Sequence, residues 1–294
     1  MKTPFLSRIK TTPLIFDGAM GTVIYEKGIF LNTCYDELNL TNPDLIKSIH
    51  QDYVTAGADV ILTNTFGANK IKLEKYGLAN KVREINIAGA KLAKSISEEV
   101  YVLGSIGSNL SSGEILTPEN IEQVKDSYRE QISALVEAKI DGIIFETFFD
   151  IEELLLASSI AKEFDIPVIA SMTLTKEMET PKGLSIVTAL KKLDKSQSVD
   201  ILGLNCSIGP HAMLSAVEKV IGSISKPLVV QPNAGHPQKR DGRMIYLSTP
   251  EYFTSYCKNY INLGVMGVGG CCGTNPEHIK EMARTIKALT GVKK

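Results

Sequence analysis

The 294-residue sequence has no tryptophan, only five cysteines, no excess of either charge and no long apolar run. Each shortage removes a class of protein. Lysine and arginine number 32 against 33 acidic residues, so no basic footprint exists for nucleic acid or an anionic membrane surface. No stretch approaches the roughly 20 apolar residues of a bilayer span. The opening MKTPFLSRIKTTP has too short an apolar run for a secretory signal. Cysteines at 34, 206, 257, 271 and 272 are too few and too uneven for a disulfide scaffold. No Pro/Gly/Ser-rich linker divides the chain, and 44% hydrophobic content is ample for one large core. The expectation is a soluble, cytoplasmic protein of one domain, residues 1–294, whose free thiols are packed, catalytic or metal-bound.

What is present is an alternation. Short β-branched runs at 13–17, 59–65, 101–107, 142–147, 167–174, 201–206, 227–233 and 264–271 are nearly continuous in apolar residues, as strands buried on both faces are. Helical patterns lie between them, at 43–56, 78–97, 119–138, 150–163, 184–194, 211–223, 249–262 and 276–289. Asn42-Pro43 supplies a residue able to cap and a proline suited to the first turn. Eight strand–helix units in one chain favour an α/β protein of the (β/α)8 TIM-barrel class over an open doubly wound sheet, which is the alternative.

In such a barrel, function sits at the C-terminal strand ends. Those ends read Asp17, Asn64-Thr65, Ser105, Glu146-Thr147, Thr173, Asn205-Cys206, Asn233 and Cys271-Cys272. Polar and thiol groups there are the opposite of what packing alone selects. The longest polar loops, 108–118, 175–183 and 234–248, follow strands three, five and seven and are expected to crowd the same face as lids.

Cys206 ends strand six, and Cys271-Cys272 ends strand eight, so three thiols can converge without any local CxxC spacing. Three thiolates with one open position make a zinc site that binds or activates something, because structural zinc is usually closed by four protein ligands. Plain packing and a strained vicinal disulfide are the competing readings. Gly269, Gly270 and Gly273 suit the unusual backbone that adjacent ligands demand. Asn233 either braces its loop or lends its amide oxygen to a metal when no substrate is bound. Cys34 and Cys257 read as structural. His236 reads as a loop residue, and His50, His211 and His278 read as packing or surface residues away from the rim.

Asp17 and Glu146 can bind a substrate ammonium, act as acid and base, or tie down loops. The Asp17-Gly18-Ala19-Met20-Gly21-Thr22 turn offers backbone N–H groups to a carboxylate. A carboxylate-binding turn, ammonium-binding acids and a metal for sulfur together describe an amino-acid thiol. Dinucleotide, P-loop, serine-hydrolase and Schiff-base patterns are missing. A phosphate-binding lyase using Val268-Gly269-Gly270 is a further alternative.

These residues resemble the homocysteine S-methyltransferases. The likeness rests on the 17–22 turn, Asn64-Thr65-Phe66, Phe145-Glu146-Thr147, Gly203-Leu204-Asn205-Cys206, Gln231-Pro232-Asn233-Ala234-Gly235 and Gly269-Gly270-Cys271-Cys272-Gly273-Thr274, and it spans about residues 13 to 289. It is nearer to the homocysteine module of cobalamin-dependent methionine synthases than to betaine-dependent members. The resemblance implies a (β/α)8 barrel in which Cys206, Cys271 and Cys272 hold zinc and homocysteine sulfur is the fourth ligand. It implies that Asp17 and Glu146 hold the amino group, with Gly18, Ala19 and Asn64 also against the substrate. The expected reaction is attack of the homocysteine thiolate on a donor methyl, giving methionine. The loops after strands three and five depart from the family wording, which leaves the donor open. It is a methyl-corrinoid such as methylcobalamin on a separate corrinoid protein, or a small molecule such as S-methylmethionine. The chain has no room for folate, corrinoid or activation modules, so a homocysteine-binding module inert without a partner is the alternative.

Overall fold

Inward and outward faces alternate along the strands of the computed structural model, which describes residues 2–111, 113–240 and 243–291. Eight strands form the barrel: β1 (Leu14–Ile15), β2 (Val60–Leu62), β3 (Tyr101–Ile106), β4 (Gly142–Phe148), β5 (Val168–Met172), β6 (Ile201–Asn205), β7 (Leu228–Gln231) and β8 (Gly267–Val268). They pair in parallel in chain order, and β8 pairs with β1. A parallel bridge between Phe16 and Val60 joins β1 to β2 and closes the ring. The (β/α)8 barrel expected from the alternation is the observed fold.

Leu14, Phe16, Val60, Leu103, Ile144, Ile169, Ile201 and Val229 form one buried cluster, into which Phe5 and Ile9 of the N-terminal helix Phe5–Ile9 pack. That segment sits at the starts of the strands, where Lys2 Nζ donates to Val100 O and Tyr101 Oη to Thr3 O. It closes the barrel floor. The alternate residues Ile15, Ile61, Val102, Ile143, Val168, Leu202 and Val230 join the larger cluster shared with the helices. Both faces are therefore apolar, and the period of two that separates them is hidden in a continuous hydrophobic run.

The main helices lie where the pattern put them, from Pro43–Ala56 to Pro276–Thr290. The expected 184–194 helix is Ile186–Lys195. One detail differs: Asn42 occupies its cap position without a side-chain capping bond, whereas Asp150, Thr249 and Asn275 do cap their helices. Four helices went unread: Phe5–Ile9 ahead of β1, and Gly21–Glu26, Leu38–Thr41 and Lys70–Glu74 in the loops after β1 and β2. Each is too short to express a helical period. The 234–248 loop likewise holds a hairpin, Gln238–Arg240 paired with Arg243–Ile245. Among the described residues no helix is long and apolar enough to cross a membrane.

A buried carboxylate ties the loop after β3 to the barrel. Glu153 lies in the helix Ile151–Lys162. Its Oε1 accepts from Asn109 N (2.8 Å), Leu110 N (3.1 Å) and Tyr128 Oη (2.7 Å), and its Oε2 accepts from Ser108 Oγ (2.6 Å). Glu153→Ala leaves these buried donors unmet, at about 1–3 kcal/mol for each one that finds no water. Urea denaturation is expected to register a loss of about 3 kcal/mol or more. A loss below about 1 kcal/mol would mean that the loop does not depend on this carboxylate.

Candidate functional site

The inward face of the barrel changes character at the C-terminal ends. Ser105, Glu146, Ser171 and Gln231 lie two residues beyond the inward apolar positions of β3, β4, β5 and β7, and Asn205 lies four beyond that of β6. Above the apolar layer the alternation thus delivers a polar ring, of which Ser105, Glu146 and Gln231 line a cavity of about 470 Å3.

Cys206 follows β6 directly, and Cys271 and Cys272 follow β8. Their three sulfurs lie within 4.8 Å of one another, with Cys206 and Cys272 3.8 Å apart. A tetrahedral metal with bonds of about 2.3 Å to sulfur sets its ligands about 3.8 Å from each other, which is the Cys206–Cys272 spacing, and Cys271 lies close enough to complete the set. The backbone bends sharply to achieve this. Cys206 and Ser207 have φ of 63° and 59°, and Gly273 has φ of 81°. A Cβ on Gly273 would fall 2.1 Å from the ring of Tyr246, so that ring packs directly beside the thiol turn. Gly269 and Gly270, by contrast, have ordinary φ; they are small because Phe16 and Thr274 press against them. In the metal-free cluster, hydrogen bonds from Cys206 and Cys271, together with one from Tyr246, bring Cys272 down to about 3. Cys271 is pushed well up by its bonds to the other two sulfurs and by burial.

Asp17 and Glu146 face the same cavity. Asp17 Oδ2 accepts from Leu62 N at 2.8 Å, while its Oδ1 is buried with no hydrogen-bond partner among the described residues. Burial, then the charge of Glu146, holds the Asp17 carboxyl well above its ordinary range. Glu146 accepts from Ser105 Oγ, and burial pushes it up to about 7 against that bond, with Cys272 adding repulsion.

The other expected residues divide. Gly18, Ala19 and Asn64 line the cavity. The Ala19 amide is already committed to Thr274 Oγ1 at 3.1 Å, however, and Asn64 Nδ2 braces the loop by donating to Tyr35 O and Asn39 Oδ1. Asn233 lies between the two thiol turns but off the described cavity lining, and its Oδ1 is buried without a partner among the described residues. His236 is exposed and off the cavity. His278 is a packing residue as expected, yet it lies on the loop face, capping the last helix and meeting Ser248 O at 3.0 Å. Cys257 and Cys34 are buried away from the cluster. None of the 108–118, 175–183 and 234–248 loops contributes to the described lining, contrary to the expected lids. The wall instead comes from the loops after β1 and β2, through Leu31, Tyr35, Asp36, Phe66 and Tyr76. The contact of Tyr246 with the thiols was also missed, since nothing local marks a tyrosine in a polar loop.

The family model "Homocysteine S-methyltransferase" matches residues 14–286. The chain belongs to the homocysteine S-methyltransferase family, a family of methyltransferases. It is 31% identical over 304 aligned positions to the methionine synthase of Mycobacterium leprae (strain TN), covering 97% of this chain and 25% of that protein. The methionine synthase of Mycobacterium tuberculosis (strain ATCC 25618 / H37Rv) matches to the same extent. The chain therefore spans about a quarter of the curated relatives it matches. Among solved structures, the metallated homocysteine methyltransferase MmuM from Escherichia coli superposes with a TM-score of 0.82 at 22% identity, over 96% of this chain and all of that one. That likeness supports the fold.

The raised Glu146 value has a pH consequence. The folded protein holds this proton more tightly than the unfolded chain, whose value is near 4.5. The protonated carboxyl therefore contributes stability in full below about 4.5 and loses it as pH rises through about 7. In metal-free protein, the melting temperature is expected to fall between those values more steeply in wild type than in Glu146→Gln. Identical slopes would remove Glu146 as the titrating group.

Proposed function

We propose that this chain methylates homocysteine on sulfur, giving methionine, with zinc held by Cys206, Cys271 and Cys272. The observation that carries the reading is the convergence of three sulfurs on one cavity that is also lined by two carboxylates, the buried Asp17 and the partly buried Glu146. Zinc bound there supplies the charge that lowers the substrate thiol's pKa, so that it is a thiolate nucleophile at neutral pH. Asp17 and Glu146 receive the ammonium as carboxylates; the incoming cation offsets the burial that raises the proton affinity of both. The unpartnered Asp17 Oδ1 is the acceptor free for it. The N–H groups of Gly18 and Met20, which have no partner among the described residues, suit the substrate carboxylate. Asn233 Oδ1 is available as a resting ligand. The chain's share of catalysis is orientation and charge placement.

A second reading leaves the chain inert until a corrinoid protein presents the methyl group. The observation favouring it is the apolar mouth, where Leu31 is 65%, Tyr76 49% and Phe66 40% exposed. A donor screen with homocysteine, scoring methionine with S-methylmethionine, free methylcobalamin and methyl-corrinoid protein, separates the two. Turnover with a small donor supports the stand-alone enzyme; turnover only with the protein donor supports the module.

Cys206→Ala and Cys272→Ala are expected to lose zinc and activity together, measured by metal analysis and methionine formation. Full zinc content with all three cysteines replaced would sink the assignment. The two anchors also make the carbon chain a ruler. Cysteine, one methylene shorter, reaches only one anchor well, and a lost charge-assisted contact costs about 1.5–3 kcal/mol, or roughly 10- to 150-fold in affinity. Calorimetry of zinc-loaded protein is expected to show that preference in wild type and a smaller one in Glu146→Gln. Equal wild-type affinity for both thiols would mean that the carboxylates do not hold the ammonium.

A further inference from the structure

At the end of β6, Asn205 is fully buried, and both ends of its amide are engaged. Oδ1 accepts from Thr147 N at 2.9 Å and from Ser171 Oγ at 2.7 Å. Nδ2 donates to Thr147 Oγ1 at 2.7 Å and points to Cys271 Sγ at 4.0 Å. One side chain thus touches the residue after Glu146, the wall of β5 and a sulfur of the cluster, and it directly precedes Cys206. Ser171 reaches it because the inward position below is Gly203, where a Cβ would lie 2.6 Å from Ser171.

Thr147 explains why so much hydrogen bonding is spent there. Its φ is 60°, a left-handed conformation that a β-branched residue avoids at a cost on the order of 1–3 kcal/mol. The strain sits at the irregularity of β4 between Phe145 and Phe148, the bend from which Glu146 meets Ser105. Asn205 grips Thr147 by both its N–H and its hydroxyl, which fixes that bend from across β5.

We infer that Asn205 is a positioning residue that couples the two halves of the site, holding Glu146 in place through Thr147 and donating an N–H to the Cys271 sulfur. The inference rests on the homocysteine reading above for the meaning of Glu146, and on the geometry alone for Cys271. A hydrogen bond to a ligating thiolate withdraws charge from it and orients it, and losing such a partner typically weakens metal binding about 10- to 100-fold.

Asn205→Asp keeps size and both acceptor contacts but removes the donor. In cobalt(II)-substituted protein it is expected to shift the thiolate-to-cobalt charge-transfer band. Chelator competition should show zinc held about 10- to 100-fold more weakly. The same variant should raise KM for homocysteine more than for 4-mercaptobutyrate, which has thiol and carboxylate but no ammonium. The double variant Asn205→Ala with Thr147→Gly separates the halves. Glycine takes the positive φ unaided, so homocysteine preference should return above that of Asn205→Ala while the cobalt band stays shifted. An unchanged cobalt band in Asn205→Asp, or no recovery of preference in the double variant, overturns the inference. Wild-type protein that binds cobalt but not homocysteine overturns the functional reading instead, and the cobalt band of Asn205→Asp still decides the Cys271 contact.

Discussion

Two strands that are not neighbours must bring three sulfurs to one point, and the end of β7 between them makes this possible. The Cys206 amide donates to Gln231 O at 3.0 Å and the Asn233 amide to Ile208 O at 3.0 Å, which binds the first thiol turn to that spine. On the other side, Cys271 N donates to Pro232 O at 2.8 Å and Ala234 N to Cys272 O at 2.9 Å. Gly270 N then donates to Asp17 O at 3.0 Å, so the same lattice reaches β1 and its carboxylate. The site is therefore a property of closed pairing around the barrel. An open sheet, with β1 and β8 at opposite edges, could not bring Asp17 to the thiols.

Electrostatics leaves that site unfinished. The described lining contains Asp17, Asp36, Glu146 and three cysteines, and no lysine, arginine or histidine. Burial answers by raising the proton affinity of the acids: Asp17 and Glu146 are raised, and Asp36 is pushed up to about 6. A cavity that raises the proton affinity of its acids is complementary to cations that arrive. An ammonium fits the carboxylates and a soft metal ion fits the sulfurs, and each lowers the cost of ionising the groups around it.

Much of this was legible in the sequence, for a definite reason. Asp17, Glu146, Cys206, Cys271 and Cys272 stand at the ends of apolar runs, and an eight-unit alternation fixes which rim those ends share. What stayed hidden depends on contacts distant in sequence or on short elements. Asn205 and Thr147 meet across 58 positions, and Asn205 approaches Cys271 across 66. The helices that carry the cavity wall after β1 and β2 have four to six residues, below the length at which amphipathic periodicity appears. Glycines around Cys271 suggested unusual backbone there, yet the bends at Cys206 and Ser207 occur in residues that carry no such mark.

The placement of strain says what the fold is built to hold. Of the six described non-glycine residues with positive φ, Thr147, Cys206 and Ser207 belong to this rim, and the other three lie in ordinary turns and loops. Each strained residue costs on the order of 1–3 kcal/mol and persists only when its surroundings over-determine it. Here the surroundings are the apolar layer directly below, fully buried at Phe16, Ile144, Ile169 and Ile201, and the N-terminal helix that seals its floor. A layer packed that tightly cannot relax by small shifts, because moving one strand end displaces its neighbours. The rim therefore keeps its bends, and the spacing between sulfurs and carboxylates is set by the barrel before any ligand enters.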